Sequence, residues 1–147
     1  MLIKSAQHKP AVIAITEVKP KHRWHSNKNE FQLEGYNMFS NDLDSAKTRG
    51  VLIYVDEHLH SSKIKLESKF NENIFVRVKS DIVIGNIYRS PNSSAENDKE
   101  LCDLMLLLSK QFVSFIIVGD FNFNDIDLKK NGVLCITLDL AMSLLML

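Results

Sequence analysis

Polar side chains able to do chemistry follow short apolar runs at three places in this 147-residue sequence. The run Phe115-Ile116-Ile117-Val118 gives way abruptly to Gly119-Asp120-Phe121-Asn122. A short, β-branched run bounded by turn residues predicts a buried strand. Gly119 allows a sharp turn where that strand stops. Asp120 then supplies an acceptor-only carboxylate, and Asn122 an amide that both donates and accepts, at the rim of a rigid core. The same pair also suits an Asx-turn that does no more than close a loop. A second run, Ala11-Val12-Ile13-Ala14-Ile15-Thr16, reads as a buried strand and hands over to Glu17. A third, Ile82 to Ile87, ends in Tyr88. Each of these residues also has a purely structural reading, Glu17 as a solvated residue after a strand and Tyr88 as a half-buried strand tyrosine with a wet hydroxyl.

The remaining elements must bring these strand ends together. Tyr36 to Ser40 reads as a short strand, Asn41 to Thr48 as a polar loop, Arg49 to Val55 as a central strand and Lys63 to Glu67 as a shorter one. Ile74, Val76 and Val78 alternate with Phe75, Arg77 and Lys79, the period of two expected of a strand with one wet face. With the turn at Ser80-Asp81 and the run from Ile82, this predicts an antiparallel hairpin. Asn97, with Glu100 three residues on, reads as a capping box for a helix. Leu101, Leu104, Met105, Leu108 and Phe112 follow at helical spacing. Strands first, then a strand–helix–strand connection, predict a mixed α/β domain.

Composition narrows the class. With 45% hydrophobic and 24% charged residues the chain falls in the globular range. Its formal net charge of zero excludes a global basic field that would by itself draw it onto nucleic acid. A local patch remains open: Lys19, Lys21, Arg23 and Lys28 surround Trp24, a set that could grip a backbone and stack a base or simply form a charged loop. His22 and His25 flank that tryptophan without anything nearby to complete a metal site. Cys102 and Cys135 are far apart in apolar surroundings with no metal-type spacing, which points to a reducing, intracellular setting, nuclear or cytoplasmic. The N-terminus lacks a hydrophobic signal core. Val133 to Leu147 is very apolar but short of the ~20 residues that span a bilayer.

Taken in order, the segments Ile13-Ala14-Ile15-Thr16-Glu17, Arg49-Gly50-Val51-Leu52-Ile53-Tyr54-Val55, Gly85-Asn86-Ile87-Tyr88-Arg89-Ser90-Pro91 and Val118-Gly119-Asp120-Phe121-Asn122 resemble the endonuclease/exonuclease/phosphatase superfamily. The nearest resemblance is to the endonuclease domain of non-LTR (LINE-type) retrotransposons, over roughly residues 8 to 128. The resemblance implies a four-layer α/β sandwich, two mixed sheets face to face and flanked by helices. It implies cleavage of phosphodiester bonds in DNA with a divalent metal, usually Mg²⁺. In the matching positions Glu17 would be a metal ligand and Asp120 would hold and activate the attacking water. Asn122 would orient that water and the phosphate, and Tyr88 would donate to a phosphate oxygen. Arg89 and Asn92 could approach substrate phosphates or simply belong to a polar loop.

The chain departs from that family in two ways. No segment before Glu17 resembles the family's first strand with its asparagine near the metal, and no Ser-Asp-His motif follows Asp120, since the last histidine is His60. Residues 1–128 therefore read as a partial endonuclease/exonuclease/phosphatase domain lacking the first strand and the C-terminal strands, and 129–147 as an unrelated apolar tail. The expected activity is weak or absent. The alternatives are a non-catalytic remnant that binds nucleic acid or a protein, and a phosphatase of the same fold.

Overall fold

A computed structural model of the chain describes residues 9–20, 28–41, 43–79 and 81–123. In chain order its elements are β1 (Val12–Ile15), a 3-10 turn (Lys28–Phe31), β2 (Tyr36–Asn41), β3 (Val51–Asp56), β4 (Ser61–Ile64), β5 (Asn73–Val78), β6 (Ile82–Tyr88), α1 (Ala95–Gln111) and β7 (Phe115–Asp120). Two sheets result. One has the order β1-β3-β2 and the other β4-β5-β6-β7. Strand β3 is central, as expected from its unbroken apolar run, and pairs antiparallel with both neighbours. The register Ile15↔Leu52 sets the C-terminal end of β1 beside the start of β3.

The β5–β6 hairpin forms as the alternation predicts, with Val78 opposite Ile82. Strand β7 joins β6 in parallel, and the connection runs through α1, because parallel neighbours need a long crossover.

Three packed layers of side chains explain the burial. Val51, Ile53 and Val55 of β3 meet Ile74, Val76, Val78 and Tyr88, so the two sheets pack face to face. The opposite face of the four-stranded sheet holds Phe75, Val83, Ile87 and Ile117 against Leu101, Leu104 and Leu108 of α1. The outer face of the three-stranded sheet, with Leu52 and Tyr54, is covered by Leu43 and the partly buried Phe31 and Leu33. Gly85 makes the second layer possible. A Cβ there would lie 2.3 Å from Phe75 Cε1 and 2.7 Å from Ile117 Cδ1.

The described architecture is thus mixed α/β, with two sheets and a helix against one of them. Among the described residues the three-stranded sheet is wholly antiparallel, not mixed.

Several local expectations change. Strand β4 lies at 61–64 and not 63–67, because Ser61 and Ser62 pair with Val78 and Arg77. The second face of β5 is not wet throughout, since Phe75 is 1% exposed under α1 while Arg77 stays outside. Strand β1 is only half-buried, and Ile116 and Val118 of β7 are exposed, because both strands lie at sheet edges. Ser94, not Asn97, caps α1. Its hydroxyl accepts from Asn97 N at 3.2 Å, and Asn97 is the third residue of the first turn, where Ser94 finds its donor. Cys102 is exposed on α1 rather than in apolar surroundings. Lys21 to Asn27, with Trp24, His22 and His25, lie outside the described residues, as do Cys135 and the tail.

Gly119 sits inside β7 and does not end it. Its φ of 140° and the approach of the β6 backbone both require glycine, since a Cβ would lie 1.8 Å from Ile87 O. Gly119→Ala should therefore separate β7 from β6 and cost about 2–4 kcal/mol, read as a lower urea midpoint with an unchanged slope.

Candidate functional site

Glu17 follows β1 with a φ of 53°. A left-handed backbone costs a non-glycine residue ~1–2 kcal/mol, so the surrounding contacts must hold it. Directly after it, Val18 N donates to Gly50 O at 3.3 Å and Lys19 N to Arg49 O at 3.0 Å. Lys19 itself is 2% exposed, and its Nζ donates to Ser45 O and Thr48 O, each at 2.6 Å. The residue that opened the basic stretch in sequence is therefore an internal clamp. It ties the chain after Glu17 to the loop before β3.

Tyr88 reaches the same place from the other sheet. Its ring belongs to the inter-sheet core, and its hydroxyl donates to Glu17 Oε1 at 2.5 Å. Arg49 Nη1 donates to that same oxygen at 2.6 Å. The backbone of Arg49 is fixed by Glu72, whose Oε1 accepts from Arg49 N at 2.8 Å. Glu72 O accepts from Tyr88 N, also at 2.8 Å. Burial, then the hydrogen bond to Glu17 and the charge of Glu17, push the Tyr88 phenol up to about 12, with the Arg49 cation opposing. Tyr88 is accordingly a neutral O–H donor throughout the physiological range.

Asn86, two residues before Tyr88, is fully buried. Its Nδ2 donates to Ile15 O at 2.9 Å and to Leu52 O at 3.0 Å, while its Oδ1 is buried without a hydrogen-bond partner. It bolts β6 of one sheet to β1 and β3 of the other, two residues short of the Tyr88–Glu17 contact.

Asp120 is the register partner of Tyr88 on the adjacent parallel strand. Neighbours in register point to the same face, so its exposed side chain lies on the same face of the sheet as Tyr88. The turn reading of the Asp/Asn pair has its contact. Asn122 N lies 3.3 Å from Asp120 Oδ1, and Asn122 turns the chain with a φ of 47°. The Asn122 amide Nδ2 donates to Arg89 O at 2.9 Å.

Arg89 returns the contact from inside. It is 7% exposed. Its Nε and Nη2 grip Asp98 at 2.7 and 2.9 Å, Nη1 donates to Asn122 O at 2.8 Å, and the guanidinium lies 4.1 Å from the Phe123 ring centre. The Arg89 hydrogen bond, then one from Ser93, hold the Asp98 carboxyl below the usual range. Arg89 therefore positions Asn122 and does not face outward. Asn92 is exposed on the turn before α1.

The strand ends thus converge as follows. Glu17 and Tyr88 touch, Asp120 is the register neighbour of Tyr88 on the same face, and Asn122 is tied in through Arg89. Sequence reading alone overlooked Arg49, Glu72, Asn86 and Asp98 as individual contributors. Asn86 carried a signal, being the one amide inside an apolar strand. Arg49 carried another, because antiparallel pairing puts the start of β3 beside the end of β1.

Among the described residues, no group of three or more His, Cys, Asp and Glu side chains is placed to hold a metal. No described helix is long and apolar enough to cross a membrane. No family model and no curated protein matches the chain.

The raised Tyr88 pKa links the site to stability. The neutral phenol is favoured in the folded state, so its contribution is intact below the ordinary value of 10 and is lost as pH rises through about 12. Urea midpoints followed across that window should fall less steeply in Tyr88→Phe than in the unaltered chain. Tyr54, also raised by burial, accounts for a remaining loss.

Proposed function

We propose that the chain carries a metal-dependent phosphodiester-hydrolase site of the endonuclease/exonuclease/phosphatase type, closest to retroelement endonucleases, with DNA as its substrate class and low turnover. The supporting observation is the meeting of Glu17 and Tyr88 across two face-to-face sheets, with Asp120 in register with Tyr88. Two sheets with α1 outside one of them are compatible with part of that family's four-layer sandwich.

The donor set fits Mg²⁺ in one mode only. There is no multi-carboxylate cage among the described residues. However, Mg²⁺ commonly uses one or two carboxylates and keeps its remaining positions for water and substrate phosphates. Glu17, half-exposed and already holding a cationic guanidinium, is the carboxylate for that mode. When bound, the ion would polarise the phosphate and offset charge on the leaving oxygen.

The chain's own residues do the rest. Tyr88 keeps its proton and donates it in a hydrogen bond, so it stabilises charge and does not act as a base. Asp120, exposed and without an ion pair among the described residues, accepts a proton from an attacking water. Asn122 is held by Arg89 O, which leaves its Oδ1 to orient that water. Low turnover is expected of residues 1–147 by themselves, since no histidine lies between Asp120 and Leu147 to make the phosphate contact of the family's histidine. That lack favours, as a second reading, a module that binds nucleic acid without cleaving it.

Two measurements test these readings. Mn²⁺, followed by the loss of its free paramagnetic signal, should bind the purified chain and bind Glu17→Gln at least about tenfold more weakly. Absence of binding by the unaltered chain would remove the metal-site reading. Supercoiled plasmid with Mg²⁺ should be nicked near background. Vigorous nicking that Asp120→Ala abolishes would overturn the low-turnover reading.

A further inference from the structure

Three cations stand close to the strand ends, and their surroundings separate them. Lys19 is 2% exposed and its ammonium is bound by two carbonyls. Arg89 is 7% exposed and its guanidinium is bound by Asp98 and the backbone after β7. Arg49 differs. Its side chain is 41% exposed, and its guanidinium donates to Glu17 Oε1, the oxygen that also accepts from Tyr88. Its main chain is meanwhile pinned on both sides, N to Glu72 Oε1 and O from Lys19 N. The base of the side chain is fixed and the guanidinium end is free to exchange partners.

We propose that Arg49 is the phosphate-binding cation of this site, paired with Glu17 and transferred to a substrate phosphate if a divalent ion takes the Glu17 oxygen. The inference rests on the metal-site reading of Glu17. An ion pair between half-exposed side chains is weak, so a divalent ion can displace the guanidinium from the shared oxygen at little cost. A displaced guanidinium beside the Tyr88 hydroxyl presents a planar fork of N–H donors, which matches phosphate oxygens better than a point charge does.

The exchange predicts effects of opposite sign from one substitution. Removing the guanidinium frees Glu17 for the metal and deprives the phosphate of its donor. In Arg49→Gln, Mn²⁺ should bind about two- to fivefold more tightly. A short fluorescein-labelled DNA duplex, followed by anisotropy in Ca²⁺, should bind about tenfold more weakly. Arg49→Lys keeps the charge and loses the fork, so it should fall between the two in DNA affinity, and circular dichroism of both variants should match the unaltered chain.

DNA affinity that does not fall in Arg49→Gln overturns the phosphate role. Mn²⁺ affinity that is unchanged, or that falls together with DNA affinity, overturns the exchange. If the unaltered chain binds no Mn²⁺, the metal-site reading itself fails and takes this inference with it. If it binds Mn²⁺ and the Arg49 variants behave like it, only this inference fails.

Discussion

The geometry of the strand ends depends on a single buried amide. Asn86 Nδ2 donates to carbonyls of two strands in the opposite sheet, Ile15 O and Leu52 O. Two hydrogen bonds of this kind contribute ~0.5–1.5 kcal/mol each, while leaving its Oδ1 buried and unpartnered costs ~1–3 kcal/mol. The two nearly cancel, and apolar contacts between Val51, Ile53, Val55 and Ile74, Val76, Val78 hold the sheets together without it. What the amide adds is register. Apolar faces can slide over one another, but a donor pair aimed at two named carbonyls cannot. Because Ile15 lies two residues before Glu17 and Asn86 two residues before Tyr88, fixing the first pair fixes the second.

Charge balance at the strand ends follows from that register. Glu17 sits in a strained left-handed conformation, and two donors converge on one of its oxygens, a neutral phenol from the buried side and a guanidinium from the solvent side. The phenol is kept neutral by burial and by the carboxylate it serves. The main chain of Arg49 is anchored to Glu72. Each partner is supplied by a different strand or loop, so the arrangement exists only in the folded chain.

Much of the frame was legible in the sequence because periodicity reports burial. The central strand β3, the β5–β6 hairpin and the helix face of Leu101, Leu104 and Leu108 all follow from it. Periodicity failed where the cause was tertiary. The runs at Val12–Ile15 and Phe115–Val118 read as buried strands, yet both became edges, since nothing in a local pattern reports strand order. Gly119 read as the end of a strand and proved to be a point of close backbone approach within one. The three strand ends that converge were visible as polar residues after apolar runs. Their partners were not, because the pairings of Glu17 with Arg49, Arg89 with Asp98, and Asn86 with Ile15 and Leu52 are set by which strands lie side by side.

Folding and function make separable demands on these residues. Tyr88 is part of the core between the sheets, Asn86 sets register, Gly119 relieves a backbone clash, and Arg89 with Asp98 joins α1 to the loop after β7. Each has a reason to be there that involves no ligand. Among the described residues the exposed carboxylate of Asp120 accepts only from Asn122 N in the turn after β7, and Glu17 and Arg49 pair half-exposed beside the Tyr88 hydroxyl. A surface ion pair adds little to stability, and Glu17 occupies a backbone conformation that glycine or asparagine would adopt more easily. On the proposed reading the chemistry falls to exposed and half-exposed side chains, Asp120, Glu17 and Arg49, and the buried ones determine where Glu17 and Tyr88 meet.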